Sequence, residues 1–158
     1  MNSQGSSKSL LPLVEIIISI GIFAVAVVLT LQLFLLAKFL GDKTSDTARA
    51  IFEIQNIAEN IKLLKTDAEI ENYIYTDKVY FGYYDSEWQK TLSEDDAAFI
   101  MKIDMDKDGY ASGNLYKFTL ELYKADPYPF INDKNVKIDS EYKPLLASIN
   151  TSRYVISE

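Results

Sequence analysis

The chain has 158 residues, 48% of them hydrophobic, and a formal net charge of −7 from 16 basic and 23 acidic side chains. Cysteine and histidine are both absent, which removes disulfides, thiolate metal sites, cysteine nucleophiles, imidazole bases and Ser-His-Asp triads. Residues 1–40 carry only Lys8, Glu15 and Lys38, which leaves −8 on residues 41–158, a balance that argues against a nucleic-acid partner because polyanion affinity comes from clustered Lys and Arg.

Residues 1–10 read as a short leader, and residues 11–40 as an apolar helix. Between Leu11 and Ala37 the strongly polar side chains are Glu15 and Gln32, and these 27 residues reach about 40 Å as a helix, against a hydrocarbon core of ~30 Å. The segment therefore predicts a single membrane span. An ionisable side chain inside such a span is costly, so Glu15 either reaches the headgroups or meets a cationic partner supplied by another chain. Residues 41–65 predict an amphipathic helix, with Ala48, Ile51, Ile54, Ala58, Ile61 and Leu64 recurring at spacings of three and four. Gly41-Asp42 and the capping chemistry of Thr44-Ser45-Asp46 predict a kink or break near residues 41–46.

Residues 66–158 predict a β-rich domain. Strands are expected from Val79 to Tyr84, from Ala97 to Asp104 and from Leu115 to Tyr123, the last two forming a hairpin, with final strands at Leu145–Ile149 and Arg153–Ile156. Pro127 and Pro129 open an irregular connection to about Lys143. Asp104, Asp106, Asp108 and Gly109 match the first six positions of an EF-hand loop, which makes the three aspartates candidate calcium ligands and calcium the one cofactor the sequence offers. The twelfth position is Leu115 rather than the closing Glu, and a solvated acidic turn over Asp106–Gly109 explains the same residues. No pattern in the chain points to an enzyme.

Leu13-Val14-Glu15, continued by the apolar run Ile16 to Ala24, resembles the N-terminal segment of type IV pilins and type II secretion pseudopilins. Leu10 stands where that family has its processing Gly, and Pro12 where Thr is usual. The resemblance implies an α+β fold in which a long N-terminal helix, transmembrane and then amphipathic, packs on a small antiparallel sheet. It implies leader removal between Leu10 and Leu11 by a prepilin peptidase, and a role for Glu15 in assembly, where it neutralises a neighbouring subunit's terminal amine. The expected function is a structural subunit, minor pilin or pseudopilin, of a type IV pilus or type II secretion-like filament. Its partners would be the membrane and other such subunits. The N-terminus is expected in the cytoplasm and the C-terminal domain outside it, in a bacterium, since a small secreted eukaryotic scaffold usually needs disulfide staples. The alternative is a membrane-anchored outer binding or sensor domain that joins no filament.

Overall fold

A computed structural model of the protein describes residues 10–74, 79–131, 135–138 and 141–156. Two compact units divide the chain, residues 1–41 and 42–158. In the first, the described residues form the opening stretch of helix α1 (Leu10–Leu63). Pro12 sits in the first turn, where backbone N–H groups have no helical acceptor and a missing one costs nothing. The expected break at 41–46 is absent: residues 41–46 are helical throughout. One interior glycine costs about 1 kcal/mol against Ala, which long runs of good helix formers on both sides offset.

The second unit packs the C-terminal part of α1 and a short helix α2 (Asp67–Ile74) on a six-stranded antiparallel sheet. Its strands are β1 (Val79–Tyr84), β2 (Lys90–Thr91), β3 (Phe99–Tyr110), β4 (Gly113–Lys124), β5 (Asn135–Ile138) and β6 (Glu141–Ile156), in the spatial order β2-β1-β3-β4-β6-β5. The α+β expectation is met at that level: a long N-terminal helix and an antiparallel sheet. Residues 42–65, expected as the amphipathic half of the helix, fall in the same compact unit as the sheet.

Alternation sorts each strand into two faces. Phe99, Met101 and Ile103 of β3 and Tyr116, Phe118, Leu120 and Leu122 of β4 enter the core, where they meet Ala50, Ile54, Ala58 and Ile61 of α1. The buried helix stripe is therefore Ala50-Ile54-Ala58-Ile61, whereas Ala48 and Ile51, both expected inward, are exposed, Ile51 at 44%. On the opposite face Lys102, Asp104, Asp106 and Asp108 of β3 run beside Glu121, Thr119, Lys117 and Leu115 of β4 in register.

Helix α2 was not expected from the sequence. Its signal is Thr66-x-x-Glu69, a capping box in which Thr66 Oγ1 accepts from the Glu69 N–H at 3.2 Å. The Glu69 carboxylate reaches back to the Lys65 N–H at 2.7 Å. Ile70 and Ile74 then seat the helix in the core, and Asn114 Nδ2 donates to Asp67 Oδ2 at 2.6 Å.

The connection expected between Pro127 and Lys143 holds β5 and the start of β6, and the two final strands expected are one, β6. Pro144 is tolerated inside β6 because it lies where the strand changes partner, facing Asn135 of β5 just before Leu145 takes up Tyr123 of β4. A bulge there, between Leu122 and Tyr123, leaves Leu146 without a partner on β4, and its side chain turns into the core.

The tight loop after β1 is organised by Asp85, whose Oδ1 accepts from the N–H groups of Glu87 and Gln89, each at 2.9 Å. It places Trp88 at a positive φ of 65° and stacks its ring on Phe99, centroids 3.9 Å apart. The stacking supplies the contact that holds a non-glycine residue in a sparsely populated conformation.

Candidate membrane and assembly segment

Every side chain from Pro12 to Lys38 is exposed, although most are large and apolar; Phe23, for instance, is 70% exposed. α1 is the one helix, among the described residues, that is long and apolar enough to cross a membrane. A monomeric soluble protein rarely shows a contiguous apolar surface of this extent, so the segment calls for lipid or protein around it. Its two hydroxyl groups, from Ser19 and Thr30, are managed locally. Ser19 Oγ donates to the Glu15 carbonyl and Thr30 Oγ1 to the Ala26 carbonyl, both at 2.8 Å, so neither hydroxyl stands unpaired in an apolar medium.

Glu15 lies one turn above Leu11 on this exposed helix, and its side chain is exposed. The bond between Leu10 and Leu11, where leader removal is expected, lies at the start of α1. Residues 1–9 of the leader, Lys8 among them, lie outside the described residues.

The three aspartates weighed as calcium ligands lie in a strand rather than in a loop. Asp104, Asp106 and Asp108 lie within β3, which continues to Tyr110, and the turn is made by Ala111 and Ser112. Alternate residues of a strand project from one face about 6.8 Å apart, too far for three carboxylates to converge on one ion at 2.3–2.6 Å. Two of the three carry cations instead: Lys102 Nζ meets Asp104 Oδ2 and Lys117 Nζ meets Asp108 Oδ2, both at 2.7 Å. The Asp108 carboxylate beside it raises the Lys117 ammonium above the usual lysine range. The acidic run is thus a solvated charge ladder, with one ion pair along β3 and one across to β4, of the modest strength that exposed pairs have.

On the core side of the same hairpin, Lys107 Nζ reaches Glu71 Oε1 of α2 at 3.1 Å and lies over the Tyr116 ring, 5.0 Å from its centroid. Tyr116 and Glu71 together hold the Lys107 ammonium well above its ordinary range. These contacts fasten α2 to the hairpin.

Comparison with protein family models, with curated proteins and with solved structures finds no match.

Proposed function

We propose that this protein is a pilin-like structural subunit, minor pilin or pseudopilin in kind, of a type IV pilus or type II secretion-like filament. The observation that carries the reading is Glu15, the lone carboxylate in an exposed apolar helical segment. In a bilayer or a packed helical bundle a single carboxylate is expensive unless a cation neutralises it. A partner subunit's amine would do so only in the correct axial register, which makes the charge a register device. Under this reading the first part of α1 holds the subunit in the membrane as a single-pass protein before assembly. The N-terminus lies in the cytoplasm and the sheet domain outside it. The same helix surface then packs against other subunits.

A second reading, a membrane-anchored binding or sensor domain outside any filament, is favoured by Leu10 at the processing position, since an unprocessed chain keeps Glu15 away from a free terminal amine. Intact mass and N-terminal sequencing of the protein from native membranes separate the two. A chain beginning at Leu11 supports the filament subunit; one that keeps Met1 supports the static anchor.

A further inference from the structure

The sheet edge beside β1 holds a concave site that neither reading uses. β1 pairs with β3 along its whole length, but on its other side it pairs with β2 only through Tyr83↔Thr91 and Tyr84↔Lys90. Among the described residues no strand covers the edge at Tyr80, Phe81 and Gly82. β2 stops there because its chain turns away: the Ser93 N–H donates to Thr91 Oγ1 at 3.3 Å, and Leu92 is left fully exposed.

A cavity of about 460 Å³ opens along this edge. Its floor is apolar, with Ile57 of α1 and Met101 and Ile103 of β3, and Tyr73, Tyr80 and Tyr84 stand around it. Gly82 contributes no side chain; a Cβ there would lie 3.3 Å from the Tyr80 ring, so a glycine keeps the slot beside Tyr80 open. Among the described residues, Lys90 is the one charged residue in the cavity lining, on a chain whose net charge is −7. Glu53, whose charge acts on the Tyr84 hydroxyl, is itself engaged by Arg49 at 3.2 Å.

We infer that this groove binds an extended segment of another polypeptide, which adds a strand to β1 in line with β2, places alternate apolar side chains over Gly82 and Met101, and sets a carboxylate against Lys90. An unpaired strand edge asks for backbone donors and acceptors at strand spacing, and an apolar slot beside it asks for side chains at every second residue. An extended peptide supplies both at once. The Lys90 ammonium at the β2 end sets the sign of the partner charge, which is either an acidic side chain or a terminal carboxylate. The net charge of −8 on residues 41–158 disfavours a second copy of the chain as the occupant. The inference holds under either reading of the helix, because it uses residues of the sheet unit alone.

The test uses the full chain in detergent micelles and fluorescein-labelled eight-residue peptides of alternating Val and Thr that end in Glu, in Lys, or in Glu with a central Pro. The Glu-ended peptide is expected to bind on the order of tenfold more tightly than the Lys-ended one, and the Pro version, which cannot complete the backbone ladder, to bind weakly. Lys90→Glu, a change at an exposed side chain, is expected to reverse the charge preference while leaving the thermal unfolding temperature unchanged. Absence of binding at millimolar peptide, equal binding of the Pro version, or an unaltered preference in Lys90→Glu would each overturn the inference. So would efficient disulfide crosslinking of dilute Leu92→Cys chains to one another, which would assign the groove to a second copy.

Discussion

Lys124 Nζ meets Asp46 Oδ2 at 2.8 Å, joining the end of β4 to α1 across 78 residues of sequence. The Tyr128 hydroxyl donates to the same oxygen at 2.5 Å, and the Lys124 ammonium lies 4.5 Å from the Phe99 ring centroid and 4.7 Å from that of Tyr128. Asp46 is thus one polar anchor between the helix and the sheet; at the other end of the contact Arg153 Nε of β6 donates to the Leu64 carbonyl, just past α1, at 2.8 Å. Both partners of the ion pair keep about a fifth of their side-chain surface in water, which tempers its strength relative to a fully buried pair.

Replacing Asp46 with Ala removes the acceptor for two donors and leaves a half-buried ammonium without its carboxylate. Asp46→Ala is expected to destabilise the sheet domain by roughly 1–3 kcal/mol, read as a lowered urea midpoint with an unchanged slope. A midpoint equal to that of the parent chain would show the anchor to be dispensable.

Gly113 opens β4, and a Cβ on it would lie 2.1 Å from the Val155 carbonyl oxygen and 2.9 Å from the Ile156 Cα. Both obstacles are backbone of the neighbouring strand, so relief requires parting β4 from β6. Gly113→Ala is expected to cost about 3 kcal/mol or more. Gly109→Ala is the control. Its added methyl would sit at an ordinary 3.6 Å from Asn114 Oδ1, and thermal unfolding is expected to change by well under about 1 kcal/mol.

Burial pushes the Tyr84 hydroxyl up to about 12, with Glu53, Tyr80 and Tyr73 adding to the effect. The folded chain therefore holds this proton more tightly than the unfolded chain, whose tyrosines titrate near ~10. The stabilisation is complete below pH ~10 and is lost as pH rises from there toward about 12. Ultraviolet phenolate titration should show late-titrating tyrosines, Tyr84 among them beside Tyr73, Tyr116 and Tyr123, with unfolding setting in over the same window; Tyr84→Phe should reduce the late component by one tyrosine. Titration of every tyrosine near pH 10 in the folded chain would refute this assignment.

Glu15→Gln keeps the shape of the helix and removes the charge. Under the filament reading it is expected to leave membrane insertion intact and to reduce incorporation into sheared or pelleted filaments by at least about tenfold, since a missing ion pair no longer sets the register. Wild-type incorporation of the variant would defeat that role for Glu15.

What the sequence determined by itself is local and periodic. The apolar run from Leu11 to Ala37 marks a helix, because nothing but length and side-chain polarity is needed to see it. β1 and the pairing of the two long central strands were legible from β-branched and aromatic runs separated by polar residues. α2 was legible too, in the Thr66-x-x-Glu69 spacing, but the short stretch before the first strand masked it. What the tertiary structure decided is what depends on distant partners. The spacing rule admitted Ile51 to the core stripe, but the stripe that faces the sheet runs through Ala50 and Ile54, because the sheet selects the angle at which α1 lies on it. Asp104, Asp106 and Asp108 look like a turn from their turn-forming chemistry alone, yet twelve paired positions along β3 and β4, with lysines beside two of the carboxylates, outweigh that local preference and keep the strand straight through Gly109. The groove beside Gly82 has no signature in the chain at all, since an open sheet edge exists only where every other strand has already found its place.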